Sequence, residues 1–60
     1  MTKDELQDYL IDEAEYDTEE VLRMSSSELV DHYLKYNGII DYTYDILEVV
    51  AAAFDIELED

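Results

Sequence analysis

The sequence predicts an all-α protein, a compact bundle of three main helices with one short helix after the first. Three observations favour this class. A helix-start signature occurs three times, and apolar residues recur at the spacing of helix faces. Only residues 54–58 alternate with the period of a strand, and one such run has no second strand to pair with. The predicted helices span about residues 3–15, 18–24, 26–37 and 43–56.

The first predicted helix, residues 3–15, begins with a capping box. In this motif a hydroxyl side chain caps the helix start and a glutamate three positions later bonds back to it, as Thr2 and Glu5 can do here. Leu6 and Leu10 fall on one side of the helix. The opposite side has acids at the i, i+4 spacing of one helix face: Asp4, Asp8, Asp12 and Glu15.

The short second helix, residues 18–24, has the same signature in its aspartate variant, with Asp17 and Glu20 as the paired residues. Its acids lie in the first turn, where the helix dipole favours negative charge. Three apolar side chains are expected to point inward from it: Val21, Leu22 and Met24.

The third helix, residues 26–37, begins with a capping box formed by Ser25 and Glu28. Its polar side includes His32, beside Glu28. Gly38 is expected to end it, because glycine readily adopts the left-handed conformation that follows a last helical turn.

The last helix, residues 43–56, is apolar around most of its circumference, and its acids occupy one narrow strip. A helix of this kind expects cover on several sides, so the other helices or a second copy of the chain should cover it. Thr43 is its expected N-cap. The linker before it, residues 39–42, is rich in apolar side chains and is expected to lie against the core.

Composition limits the class of protein. The 60 residues form at most a single acidic helical domain, residues 1–60, near the lower size limit for folding without a staple. The chain has no cysteine, so disulfides and thiolate metal sites are excluded. With no long apolar run and no secretory signal, a cytoplasmic protein is expected.

No residue pattern predicts catalysis, a metal or a cofactor. The one histidine, His32, is expected to be an exposed residue, with a pH-sensing role as the alternative. The densest acidic stretch, residues 12–20, lacks the glycine and the ligand spacing of a calcium loop. The single glycine cannot build a phosphate-binding loop. We therefore expect no enzymatic activity, no metal site and no cofactor.

The strongest signal is the formal charge of −15, from 18 acids against 3 bases. Such self-repulsion destabilises the compact state, and like charges at i, i+4 cost a few tenths of a kcal/mol, about 0.2–0.5, per pair. Solubility, adaptation to high salt or a positively charged partner can offset this cost. DNA and anionic membranes are poor partners, because binding them requires Lys and Arg.

Acids four residues apart on a helix are separated by about 6 Å along its axis, a scale comparable to the phosphate spacing of a DNA strand. The first helix can therefore present charge at nucleic-acid-like intervals. The C-terminal acids would extend this surface if the fold brings them alongside: Asp55, Glu57, Glu59 and Asp60. The residues predicted to bind a partner are Asp4, Asp8, Asp12, Glu15, Tyr16, Glu19 and Glu20.

Six tyrosines are too many for a core of this size to bury with every hydroxyl bonded. Tyrosine is common at interfaces, and Tyr42 and Tyr44 are expected to be the most exposed pair. Half-buried core tyrosines with solvated hydroxyls are the alternative.

Residues 24–43, MSSSELVDHYLKYNGIIDYT, resemble a stretch found in small uncharacterised proteins of bacteriophages and of Firmicutes. The stretch covers about a third of the chain and consists of cap and core residues, so the resemblance implies a shared fold. In size and charge the whole chain is similar to acidic bacteriophage-encoded DNA mimics, host-takeover inhibitors that block host DNA-binding or restriction proteins. This similarity of class implies a phage setting and a host protein as the target.

The leading hypothesis is an acidic protein that binds the basic nucleic-acid-binding surface of a host protein and blocks it by DNA mimicry. The alternative is a helical protein–protein interaction module or homodimer, including a transcription-associated regulator, that uses an apolar patch around the last helix. Ala51 and Ala53 would allow close helix approach there. A solvated acidic surface without a dedicated partner also remains open.

Overall fold

The computed structural model describes residues 1–58, and this part of the chain forms four helices without a strand. They are α1 (Lys3–Asp12), α2 (Thr18–Arg23), α3 (Ser26–Tyr36) and α4 (Tyr44–Ala53). Both α1 and α4 pack against α3, while α2 packs against α1. The predicted all-α class and the four helices are thus confirmed, with α3 at the centre of the bundle.

The core lies along α3, where its apolar side meets the other helices. Its fully buried members are leucines and valines from α1, α2 and α3: Leu6, Leu10, Val21, Leu29, Val30 and Leu34. From α4 only Leu47 and Ala51 are buried. The long side chains that close the core therefore come mainly from the first three helices.

Two of the three predicted capping boxes are present. At α1 the hydroxyl of Thr2 accepts from the N–H of Glu5 at 3.3 Å, and the Glu5 carboxylate accepts from the N–H of Thr2 at 3.0 Å. Ser25 and Glu28 form the equivalent pair at α3, with distances of 3.3 and 3.4 Å. These bonds satisfy backbone N–H groups that have no partner within the helix.

The predicted capping box of α2 is wrong. Asp17 is its N-cap residue, but the side chain makes no capping hydrogen bond. A hydroxyl cap is neutral, whereas an aspartate cap would hold its carboxylate close to that of Glu20. Repulsion between the two charges opposes the reciprocal arrangement. Thr43 is the N-cap of α4, as predicted, although its side chain also makes no capping bond.

The first helix is shorter than predicted: α1 ends at Asp12, three residues before the predicted boundary. Glu15 has a φ of +58°, in the left-handed region. The N–H of Tyr16 donates to the carbonyl of Leu10 at 3.0 Å, which turns the chain back towards the bundle.

The ends of α3 and α4 use the same left-handed turn with different residues. Gly38 has a φ of +86°, so the predicted glycine stop of α3 is confirmed. In α4 the corresponding residue is Asp55, with a φ of +58°, and the N–H of Ile56 donates to the carbonyl of Ala51 at 2.9 Å. Since aspartate gives no clear stop signal, the predicted end of this helix lay three residues too far along the chain.

Two predictions of burial are also wrong. Leu22 is 62% exposed, because α2 is only six residues long and buries Val21 instead. In the linker before α4, Ile39 and Ile40 are exposed and only Tyr42 packs against the core. No helix within residues 1–58 is long and apolar enough to cross a membrane.

Candidate functional site

The acidic face of α1 consists of Asp4, Asp8 and Asp12, all of which are exposed. Leu6 and Leu10, on the opposite side of the helix, are 0% exposed. The three carboxylates therefore form a row about 12 Å long, pointing away from the core.

The other predicted partner-binding acids are exposed but do not continue this helical row. Glu15 lies beyond the end of α1, in the turn to α2, so its predicted place on the same helix face is wrong. Glu19 and Glu20 lie in the first turn of α2. Arg23 approaches Glu19 at 3.8 Å, with both side chains about 80% exposed. A pair exposed to this extent contributes little to stability.

Acids are exposed on every helix. Among the described acids only Asp31 is half-buried, and it pairs with Lys35 at 3.0 Å. The predicted extension at the C terminus is described only in part, since Glu59 and Asp60 lie outside the described residues. Exposed negative charge is therefore found on all four helices, and the i, i+4 spacing of three aspartates is what distinguishes the acidic face of α1.

Tyr16 bridges the α1–α2 turn to α3. Its hydroxyl and Nδ1 of His32 share a hydrogen bond of 3.0 Å, and the two rings meet edge to face with centroids 5.2 Å apart. Both side chains are half-buried, so the prediction of a freely exposed His32 is wrong. A partner would reach Tyr16 only at its outer edge.

Most of the tyrosines are used to join helices. A chain of ring contacts runs from α3 through α1, back to α3 and on to the end of α4: Tyr36, Tyr9, Tyr33 and Phe54, with successive centroids 5.8, 5.3 and 5.0 Å apart. The hydroxyl of Tyr36 donates to the carbonyl of Glu13 at 2.9 Å. Of the pair predicted to be most exposed, Tyr44 is 48% exposed, whereas Tyr42 is half-buried against the core.

The apolar stripe of α4, defined as Ile46, Val49 and Ala53, is the feature that departs furthest from the prediction. The helix is covered on one side only, where Leu47 and Ala51 are buried. Ile46 is 44% exposed, Val49 is 66% exposed, and Ala53 is also exposed. The expectation of cover on several sides is therefore wrong for the single chain.

An open depression between α3 and α4 is lined by Ser27, Glu28, Asp31 and Leu47. Within residues 1–58 no group of three or more His, Asp or Glu side chains is arranged to hold a metal ion. No buried side-chain nitrogen or oxygen there lacks a hydrogen-bond partner. The acidic face of α1 and the apolar stripe of α4 are exposed surfaces that a partner can contact.

No protein family, curated protein or solved structure matches the chain. The function is therefore inferred from the surfaces themselves.

Proposed function

We propose that this protein binds the basic, nucleic-acid-binding surface of another protein and blocks it by DNA mimicry. The observation that carries the proposal is the row of three exposed aspartates on α1, spaced one helical turn apart. The proposed setting is the cytoplasm of a phage-infected host. The protein would act as an inhibitor by binding alone, with no enzymatic step and no direct contact to nucleic acid or membrane.

Rigidity supports this role, because a mimic is useful only if its charges hold a fixed spacing. The capping box at Thr2 secures the start of α1, and Leu6 and Leu10 anchor its inner side. Tyr9 contacts the rings of Tyr33 and Tyr36. With the backbone of α1 fixed in this way, only the aspartate side chains have to be ordered when a partner binds.

The charge of the whole chain would assist binding at longer range. A field from 15 excess negative charges steers a cationic surface towards the protein and raises the association rate. Binding would also release the anions held at the partner's basic site. Both effects weaken with salt, so affinity should fall steeply as ionic strength rises.

The proposal is tested with matched charge reversals on two helices. Asp8→Lys/Asp12→Lys alters the acidic face of α1, and Asp45→Lys/Glu48→Lys changes the net charge equally on α4. Each variant competes with a labelled DNA duplex for purified DNA-binding proteins, including a nucleoid protein, a restriction endonuclease and RNA polymerase, at two salt concentrations. We expect the α1 variant to compete about tenfold less well, and the α4 variant to stay near wild type.

Two results would contradict this function. One is an equal loss in both variants, which would show that only total charge matters. The other is a wild-type protein that displaces the duplex from none of these proteins at low salt. Circular dichroism melting of each variant verifies that a loss of competition is not a loss of folding.

A second candidate function, a helical interaction module, is supported by one observation. Ile46 and Val49 are exposed on α4, so this helix has a second apolar side in addition to the one buried in the bundle. Solvent-exposed apolar surface of this kind is typical of contact sites when it is contiguous. This module would use α4 and would leave the acidic face of α1 unoccupied.

A further inference from the structure

We infer that the apolar stripe of α4 is a docking surface for a cationic amphipathic helix of another protein. The inference rests on the second candidate function and names its partner by chemistry. It does not depend on DNA mimicry by α1. Its basis is the combination of an uncovered helical seam with acidic surroundings.

The spacing of the stripe fits a helical partner. Ile46, Val49 and Ala53 follow one another at intervals of three and four residues, which is the a–d–a pattern of a helix–helix seam. The inner side of α4 is already occupied, since Leu47 and Ala51 are buried against the rest of the bundle. The stripe is thus a second side of the same helix, about 10 Å long.

The neighbouring row of α4 contains Asp45, Glu48 and Ala52, all exposed. If Ile46 is an a position, Asp45 is the g position before it. Residues at g positions flank the contact between two helices and often form salt bridges with the facing helix. A partner helix with Lys or Arg beside its apolar residues would meet both the stripe and the Asp45 carboxylate, with Glu48 further round the helix.

Charge argues against a second copy of the chain as the occupant. Residues 36–60 contain no Lys, Arg or His, and they contain seven acids: Asp41, Asp45, Glu48, Asp55, Glu57, Glu59 and Asp60. A dimer through α4 would bring two such segments together, each in a chain of charge −15. A cationic helix neutralises the same carboxylates that a second copy would repel.

The test uses a labelled 18-residue peptide with leucines at the a and d positions and lysines elsewhere. A peptide of the same composition, with its leucines scattered around the helix, is the control for charge alone. Val49→Ser removes the centre of the stripe, and Leu22→Ser is the matched control, because Leu22 on α2 is 62% exposed and Val49 is 66% exposed. Binding is measured by fluorescence anisotropy at physiological salt, and melting curves check that both variants fold.

We expect Val49→Ser to bind the amphipathic peptide at least about fivefold more weakly, and Leu22→Ser to bind it like wild type. Asp45→Lys/Glu48→Lys should weaken binding of the amphipathic peptide more than Asp8→Lys/Asp12→Lys does, although the two variants have the same net charge. The scattered peptide should bind weakly to all variants.

Equal binding of the two peptides, or equal losses in Val49→Ser and Leu22→Ser, would overturn the inference by reducing the attraction to overall charge. Sedimentation of the wild type over a range of concentrations tests the other occupant. A dimer that Val49→Ser abolishes would overturn the cationic partner and leave the interaction module standing. If Val49→Ser changes neither peptide binding nor sedimentation, both the inference and the interaction module are wrong.

Discussion

The outer sides of α1 and α4 differ sharply, although both helices have ten residues and both pack against α3. The outer side of α1 has Asp4, Asp8 and Asp12, and its leucines are buried. The outer side of α4 includes Ile46 and Val49 beside its acids. The apolar residues of α1 are thus accounted for by its own core, whereas α4 has more of them than the fold uses. We propose that these excess apolar residues of α4 contact a partner.

The two helices also differ in how their first turns are held. At α1 the capping box of Thr2 and Glu5 secures the first turn, while Thr43 at the start of α4 makes no capping bond with its side chain. Both helices are followed by an acid in the left-handed conformation, Glu15 and Asp55. We therefore expect α4 to open locally more readily than α1, because its first turn has no side-chain cap and its outer side has no cover.

The largest difference in stability between the two helices is expected when one apolar side chain is removed from each. Leu10→Ala should lower the free energy of unfolding by about 2–5 kcal/mol, because Leu10 is fully buried and its loss leaves a cavity. Val49→Ala should change it by less than about 0.5 kcal/mol, since Val49 is largely exposed. Urea unfolding followed by circular dichroism measures both. A large loss in Val49→Ala would mean that the stripe is already covered in the isolated protein.

A smaller effect is expected from the same substitution at the two threonine N-caps. Thr2→Ala should cost about 1 kcal/mol, because it removes the hydroxyl that accepts from the N–H of Glu5. Thr43→Ala should cost only about 0.3 kcal/mol, since its side chain makes no capping bond. Unfolding in urea compares the pair. Equal costs would show that the starts of α1 and α4 are equally well secured.

The third test removes the backbone strain at the two acids that have a positive φ, Glu15 and Asp55. Glu15→Gly and Asp55→Gly should each stabilise the protein by up to about 0.5 kcal/mol, because glycine adopts a positive φ without steric cost but loses more entropy on folding. The gain should be larger at residue 15, since aspartate tolerates this conformation better than glutamate. Thermal melting gives the difference. Glu15→Gln and Asp55→Asn remove the same charge without adding glycine. If the glycine variants raise Tm by no more than these amide variants do, the gain comes from the loss of charge.

The starts of α1 and α3 were predictable from the sequence because the chemistry of a cap is local. Ser25 and Glu28, three residues apart, form their bonds independently of the rest of the fold. The ends of α2 and α3 were predicted to within one residue, with Gly38 marking the end of α3, whereas Glu15 and Asp55 gave no signal for the ends of α1 and α4.

The candidate surfaces were predictable to different degrees. The exposure of the aspartates on α1 follows from helical periodicity, so the sequence was sufficient. The exposure of Ile46 and Val49 depends on which sides of α4 the other helices reach, and that is a property of tertiary packing. The bond between Tyr16 and His32 joins residues 16 positions apart in the chain, beyond any local pattern.

The smallest expected effect concerns pH and the capping box of α1, which α4 lacks. The backbone N–H of Thr2, followed by its hydroxyl, holds the pKa of the Glu5 carboxyl below its usual range. The folded protein therefore binds this proton less readily than the unfolded chain does. The contribution to stability is present above the ordinary pKa of a glutamate and is lost as pH falls through the lower folded-state value.

Lowering the pH also neutralises other carboxylates and so reduces the repulsion among them. Glu5→Gln separates the contribution of Glu5 from this general effect, and Glu13→Gln is the control for the loss of one negative charge. At pH 7, Glu5→Gln should lower the free energy of unfolding by more than Glu13→Gln does. This extra loss should shrink towards zero at about pH 3. Glutamine can still complete a capping box, so what disappears is the charged part of the bond. Urea unfolding at the two pH values measures it. A difference that stays constant with pH would mean that the Glu5 carboxylate contributes no more to the start of α1 than a neutral amide, and α1 would lose part of its advantage over α4.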